Sequence, residues 1–354
     1  MVSQATSSSS FYATAELYAT LTDTLQQLAN LKPAKFCNDS AGIRFAAYSS
    51  SSCSCSVPPL GYFTPRSSKL GTWVLLKHFA SRRQINQGRG IIVHTNSDIA
   101  VADIGAGRVA VYNKLGEFKF PIQGTRGRSN SGLHTGSHGI AVSANGLYFV
   151  TGIANLVEVF NADGALQYKF PAVSPSNVSS NQEDEDTNLI GIAVDAATQH
   201  VLVGDIQSKY ISKHRLDGTH ISSIQVDIQP WYIQVTPQSV IVASSYEENA
   251  VNMYDQEGLL LHNCSIPTGL LPDMWYPTGL CVAHDLIFVN NFAPNSGMYC
   301  FCALTGKYLR MIANNMVNWG AGITSTEVDG RPMLLVSQGR WTGNESGVKV
   351  FALE

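Results

Sequence analysis

A short apolar segment recurs about every 45 residues along this chain, from Gly90 almost to its end. An Ile or Leu is the second residue of every copy, and a glycine opens all copies but one. The six segments are 90–93, 139–142, 191–194, 232–235, 279–282 and 322–325. Glycine turns keep the same spacing, at Gly116, Gly164, Gly218, Gly258 and Gly306. Two markers in phase indicate a fold built from stacked repeats.

Each repeat carries four short runs with the composition of β-strands. In the second copy, the runs 147–150 and 156–160 precede the turn at Gly164, and the run 166–170 follows it. Four strands joined by hairpin turns form one propeller blade. Such a sheet cannot cover both of its faces alone, so the copies must pack around an axis. The sequence predicts an all-β, six-bladed β-propeller.

The two ends of the repeated region predict how the ring closes. The last copy has only three strands, of which the third is the run 347–353. The run 71–79 lies where a fourth strand would precede the first repeat. We expect these two runs to pair, which leaves short protected edges rather than an open one.

The second repeat resembles an NHL repeat in its Gly-Ile-Ala-Val start, in the strand 148–151 and in the hairpin 157–164. The first copy fits best, because Asp103 and Arg108 fill the acidic and basic positions of the NHL pattern. Asp205 with Lys209 fills them in the third copy, and the other four copies lack the Asp. The resemblance covers roughly 71–354. It implies a propeller similar to the C-terminal domain of tripartite-motif proteins, which binds protein or RNA.

Residues 1–70 differ in composition from the repeats, with serine-rich tracts at 7–10 and 49–56. This composition predicts a largely disordered arm ahead of a propeller domain over 71–354. Leucines at three- and four-residue steps predict a short amphipathic helix over 14–31, either docked or free for a partner. Cysteines of the arm form no RING or B-box pattern, so we expect no ubiquitin-ligase module.

The formal charge of −3 argues against a chain that is basic all over, so nucleic-acid binding would have to be local. No long apolar run and no secretory signal are present, which predicts an intracellular, cytoplasmic protein without a membrane contact. Cys281, Cys300 and Cys302 fall on predicted strands, where we expect buried free thiols.

Loops at one end of a propeller offer the candidate binding face, since function usually lies on loops. These loops connect the fourth strand of a blade to the next first strand, and the second strand to the third. Four of the five tryptophans fall there, and the same loops hold Arg82, Arg83, Arg89 and Tyr246. The candidates are Arg126, Arg128, His138, Trp231, Tyr232, Trp275, Tyr276, Trp319, Arg340 and Trp341.

Aromatic rings beside guanidinium groups suit a peptide or a single-stranded RNA. The alternative is that the tryptophans plug the channel mouth and wedge between blades. Arg126 and Arg128 lie in a glycine-rich loop suited to phosphate or an acidic peptide, or simply to a flexible connection. The acidic run 183–186 disfavours an extended RNA footprint.

The sequence does not contain a set of residues at the positions that would indicate a known catalytic or metal site. Amidating lyases with NHL-like propellers bind zinc through histidines before the first strand of three blades, and here only His138 holds that position. We therefore predict no metal, no cofactor, no catalytic residues and no small-molecule substrate. The leading prediction is a non-catalytic scaffold that binds protein or peptide partners. RNA binding is the alternative, and a lyase- or lactonase-like enzyme is the third.

Overall fold

A computed structural model describes the chain over 36–39, 42–45, 72–80, 84–123, 138–152, 156–172, 189–283, 285–339 and 346–354. The chain divides into two compact units, Met1–Arg66 and Ser67–Glu354. Within the first unit, β1 (Phe36–Asp39) and β2 (Gly42–Phe45) form an antiparallel hairpin. The helix predicted over 14–31 lies outside the described residues.

The second unit contains six four-stranded antiparallel sheets, and its first strand is β3 (Trp73–Phe79). The first blade comprises β4 (Gly88–Val93), β5 (Ile99–Asp103), β6 (Arg108–Tyr112) and β7 (Phe118–Gln123). The second comprises β8 (Ile140–Val142), β9 (Tyr148–Thr151), β10 (Leu156–Phe160) and β11 (Leu166–Pro171). The third comprises β12 (Leu189–Val194), β13 (Val201–Asp205), β14 (Tyr210–His214) and β15 (His220–Gln225).

The remaining three blades follow the same order. The fourth comprises β16 (Tyr232–Val235), β17 (Ile241–Ser245), β18 (Ala250–Tyr254) and β19 (Leu260–Asn263). The fifth comprises β20 (Pro277–Ala283), β21 (Leu286–Asn291), β22 (Ser296–Cys302) and β23 (Tyr308–Val317). The sixth comprises β24 (Gly320–Val328), β25 (Arg331–Gln338) and β26 (Gly347–Leu353), completed by β3.

Helical structure in the described part of the chain consists of short 3-10 turns at Ile104–Ala106 and Thr268–Leu270. Among all the residues that the structure describes, no helix has the length and apolar character needed to cross a membrane.

The first strands of the blades form a closed ring. β4, β8, β12, β16, β20 and β24 contact one another in that order, and β24 contacts β4. β3 pairs antiparallel with β26, with Phe79 opposite Val348 and Trp73 opposite Leu353. The predicted six-bladed fold and its closure by an upstream strand are both confirmed.

Close approach of neighbouring first strands explains why glycine recurs in the sequence. A Cβ built at Gly139 would lie 2.1 Å from the carbonyl oxygen of Ile190, and one at Gly279 would lie 2.0 Å from that of Ala321. No other residue fits where two backbones meet so closely. The fourth blade carries Tyr232 at this position, so it cannot pack on the fifth blade in the same way.

Polar side chains near the ends of the second strands hydrogen-bond to the next blade. Each donates to a backbone carbonyl at the start of the neighbouring first strand. The pairs are Thr151 to Ile190, Ser244 to Thr278, Asn290 to Gly322 and Ser337 to Arg89. The third blade has Gly204 here instead, where a Cβ would lie 2.6 Å from the carbonyl oxygen of Pro230.

Apolar side chains fill the space between adjacent blades. One such cluster joins the fourth and fifth blades and includes Val251, Leu280 and Phe301. Cys281 and Cys300 are free and buried, as predicted. Cys302 is disulfide-bonded, which corrects the expectation of a third free thiol.

Candidate ligand-binding surface

Five aromatic side chains from three consecutive blades lie at the end of the sheets where the candidate loops were predicted. Three of them precede a first strand, and two follow directly on a second strand. We call them the aromatic cluster, which consists of Trp231, Tyr246, Tyr276, Phe292 and Trp319. All five are partly exposed, in contrast to the fully buried rings of the blade cores.

The rings of the aromatic cluster contact one another in a continuous chain. Tyr246 is central, with its ring centroid 4.9 Å from that of Tyr276 in a stacked arrangement. The Trp231 and Phe292 centroids lie 5.5 Å and 6.2 Å from it. Trp319 completes the chain, edge-on to Phe292 at 5.2 Å. Offset and edge-on contacts of this kind stabilise aromatic groups relative to one another.

Arg89 of β4 brings a positive charge to the aromatic cluster. Its guanidinium carbon lies 5.2 Å from the centroid of Phe292, within the range of a cation–π interaction. Burial raises the pKa of Tyr232 to about 12, against the opposing charge of Arg89. No carboxylate of the described residues lies within ion-pair distance of this guanidinium. The charge is therefore positioned to meet an anionic group of a ligand.

Backbone and amide hydrogen bonds fix the loops that carry the rings. The side-chain oxygen of Asn291, at the end of β21, accepts from the backbone N–H of Tyr276 at 2.7 Å. Its amide nitrogen donates to the carbonyl of Met274 at 2.7 Å. The N–H of Trp231 donates to the Ser244 carbonyl at 2.9 Å. The rings are thus positioned by strand ends, which makes the surface rigid.

Trp319 adopts a left-handed backbone conformation, with φ of +52°. This conformation is unusual for a bulky side chain and costs roughly 1–3 kcal/mol. Its N–H donates to the carbonyl of Ala293 at 3.0 Å, which holds the residue in place. Other non-glycine residues with positive φ, such as Ser97, Gln199 and Ser239, lie in turns at the opposite end of the sheets, so this conformation alone does not distinguish the two ends.

The ten candidate residues fall into different places. Trp231, Tyr276 and Trp319 belong to the aromatic cluster. Tyr232 and Trp275 instead pack against the core between the fourth and fifth blades, and the Trp275 ring lies edge-on to Tyr299 at 4.8 Å.

The other candidates lie apart from these contacts or outside the described residues. The backbone of His138 joins the first two blades, since its carbonyl accepts from Gly90 at 2.9 Å. Arg126, Arg128, Arg340 and Trp341 lie outside the described residues.

Three members of this surface were not among the ten candidates. Arg89 and Tyr246 were assigned from sequence to the candidate loops, although the structure places Arg89 within β4, and Phe292 was missed. Tyr246 follows Ser245 at the end of β17, and Phe292 follows Asn291 at the end of β21. The two aromatic residues therefore occupy equivalent positions in successive repeats. Aligning the second strands, rather than the first, would have identified them.

A cavity of about 390 Å³ opens beside the aromatic cluster, between the fourth and fifth blades. It is lined by Asn249, Ala250, Asn263, Cys264, Ser265, Ile266, Leu271, Pro272, Asp273, Trp275 and Tyr276. Tyr276 belongs to both features, so the cavity and the cluster are continuous. In the part of the chain that the structure describes, no group of three or more His, Cys, Asp or Glu could hold a metal ion.

Comparison with known proteins shows similarity at the level of fold. No family model matches the sequence, and no curated protein matches it. A streptogramin B lyase structure is 13% identical, with a TM-score of 0.56, covering 81% of this chain and 100% of that one. Virginiamycin B lyase from Staphylococcus aureus is 14% identical, with a TM-score of 0.53, and the match covers 75% of this chain and 82% of the lyase. A protein of unknown function from Bacteroides thetaiotaomicron is 13% identical, with a TM-score of 0.57, and the match covers 76% of this chain and 70% of that protein.

These similarities correct one prediction and leave another without support. The prediction that the chain is not an enzyme is contradicted, because the similar propellers include lyases. The error came from treating the lack of a known catalytic motif as evidence against catalysis. The comparisons support the propeller fold and give no support for the NHL or tripartite-motif resemblance.

Proposed function

We propose that this chain binds a protein or peptide ligand through the aromatic cluster and Arg89. The observation that carries the proposal is the unbroken chain of ring contacts from Trp231 to Trp319, with a guanidinium on one of its rings. Trp, Tyr and Arg are the residues that contribute most to binding at protein interfaces. Here they are gathered on one face of three blades.

The exposure of these rings and their contacts across three blades favour ligand binding over a purely structural role. The largest rings within the blade cores, such as Tyr112, Tyr148 and Tyr254, are fully buried. The rings of the aromatic cluster are partly exposed, and they contact one another across three blades.

A displayed library of random dodecapeptides, selected against the full chain, tests this function. We expect selected peptides to lose at least about tenfold in affinity for Phe292→Ala, as is typical when a central aromatic residue is removed. Phe118→Ala is the matched control, because Phe118 is also partly exposed and has Arg108 at 5.7 Å from its centroid. Phe118 lies on the outer strand of the first blade, so this variant should bind as the parent does.

Two results would contradict the proposal. One is a set of selected peptides that bind Phe292→Ala and Tyr246→Ala as tightly as the parent. The other is failure to select any peptide, in which case labelled single-stranded poly(U) RNA is tested instead. RNA affinity that falls steeply with added salt would then favour the alternative function.

A further inference from the structure

The cavity between the fourth and fifth blades has buried apolar side chains in its lining and exposed apolar side chains beside its opening. Cys264 and Ile266 are buried in its lining, and burial raises the pKa of the Cys264 thiol to about 12, so the thiol stays neutral. Beside the opening, Leu270, Leu271 and Met274 are 62%, 48% and 40% exposed. Three exposed apolar side chains within five residues form a patch of the kind that marks an interaction site.

The charged side chains on the two chain segments at this cavity are acidic. Asp273 lines the cavity, Glu247 and Glu248 directly precede the lining residue Asn249, and the segments 244–250 and 263–276 contain no Lys, Arg or His. Glu248 pairs with Lys209 at 2.7 Å. Neither Asp273 nor Glu247 has an ion pair with another described residue. A ligand that enters here meets apolar side chains inside the cavity and the carboxylates of Asp273 and Glu247 at its edge, which we call the acidic rim.

The cavity is held open by the same residues that shape the aromatic cluster. With its amide turned so that nitrogen faces two carbonyls, Asn249 donates to Trp275 at 2.5 Å and to Tyr246 at 3.2 Å. Trp275 is fixed from below by Tyr299. The volume of about 390 Å³ falls within the range of small-ligand sites and exceeds what one side chain needs.

We infer that this cavity is the anchor subsite for a peptide segment in which an apolar side chain lies next to a lysine or arginine. The apolar side chain occupies the cavity, and the cation pairs with Asp273 and Glu247. Charge complementarity argues for this occupant, because the rim would repel an acidic segment. The inference rests on the proposed function and adds the ligand's chemistry. From Tyr276 onward, the same peptide continues over the aromatic cluster.

The peptides selected against the full chain also test this subsite. Ser265 is exposed in the cavity lining, so Ser265→Trp fills the opening without disturbing a buried side chain. Its control is Gln238→Trp, in the exposed β16–β17 turn at the opposite end of the same blade. We expect Ser265→Trp to weaken binding at least about tenfold and Gln238→Trp to leave it unchanged.

Charge reversal tests the chemistry of the rim. Selected peptides should share Leu, Met or Phe beside Lys or Arg, and Asp273→Lys should weaken their binding at least about tenfold. Asp163→Lys makes the same change in net charge at an exposed turn of the second blade and should have little effect. Selection repeated on Asp273→Lys should yield peptides with Asp or Glu in place of the basic residue.

The possible outcomes separate this inference from the proposed function. If Phe292→Ala abolishes binding and Ser265→Trp does not, the subsite is wrong and the function stands. If Ser265→Trp abolishes binding and Phe292→Ala does not, the ligand site is the cavity and the aromatic cluster is not part of it. If no peptide is selected, both fail. Sedimentation of the parent and of Ser265→Trp tests a different occupant. If the parent is a dimer and the variant a monomer, the cavity holds a second copy of the chain, and the inference of a peptide ligand is wrong.

Discussion

Two neighbouring interfaces of the ring are built differently. Between the fifth and sixth blades, Gly279 meets the carbonyl of Ala321, and Asn290 donates to Gly322. Between the fourth and fifth blades, Tyr232 replaces the glycine, and the cavity and the stacked rings of Tyr246 and Tyr276 lie at the same interface. Regular packing therefore closes the ring, and the interface that departs from the pattern is the one that holds the cavity.

The largest expected effect comes from adding a side chain at the regular interface. Gly279→Val should destabilise the protein by about 4 kcal/mol or more, because two backbones must separate to admit it. Gly269→Val is the control, since no atom lies within 4 Å of a Cβ built there. It should change the free energy of unfolding by less than about 0.5 kcal/mol. Urea unfolding measures both, and similar values for the two variants would show that the glycine period does not reflect close packing.

Restoring glycine at the irregular interface tests the comparison from the other side. Tyr232→Gly should cost about 3 kcal/mol in urea unfolding, because the ring packs on the core between the fourth and fifth blades. Tyr232→Phe keeps that packing and should cost less than about 1.5 kcal/mol. If Tyr232→Gly were as stable as the parent, the fourth blade would accept the regular packing, and the difference between the interfaces would have no structural basis.

A third interface, between the second and third blades, should depend on pH. His214 is fully buried, its ring centroid 4.9 Å from that of Phe170, and burial lowers its pKa to about 4. The neighbouring His220 adds to this lowering, and a hydrogen bond to the Gly218 carbonyl opposes it. The unfolded chain, with a histidine pKa near 6.5, then binds more protons than the folded chain between about pH 4 and pH 6.5.

Stability should therefore be highest above pH 6.5 and fall by roughly 3 kcal/mol as the pH drops to about 4. The fall in this window should be reduced in His214→Phe, measured by urea unfolding at a series of pH values. An unchanged pH profile in that variant would exclude His214 as the cause.

The smallest expected effect on stability concerns the strained tryptophan. Trp319→Gly removes a ring and also relieves the left-handed backbone, so the two contributions should offset to within about 1 kcal/mol. Trp231→Gly has no such relief and should lose more. Both should weaken peptide binding. Equal losses of stability in the two variants would show that Trp319 is not strained.

The sequence was sufficient to predict the fold because close packing leaves a visible mark. Glycine at the first strands, and the run 71–79 placed to complete the last blade, follow from backbone geometry that few residues satisfy. The site was only partly predictable, since Trp275 and Tyr276 are adjacent in sequence but one packs inward and the other lies in the aromatic cluster. Catalytic capacity could not be excluded from missing motifs, because lyases share the fold at 13–14% identity.

Hydrogen–deuterium exchange of the full chain, with and without a selected peptide, tests the ligand-binding claim most directly. Binding at the aromatic cluster predicts slower exchange at Trp231, in 245–249, in 271–276 and at Trp319. The turns at the opposite end of the sheets, such as 195–200, should exchange at the same rate in both states. Protection confined to those opposite turns would contradict the account.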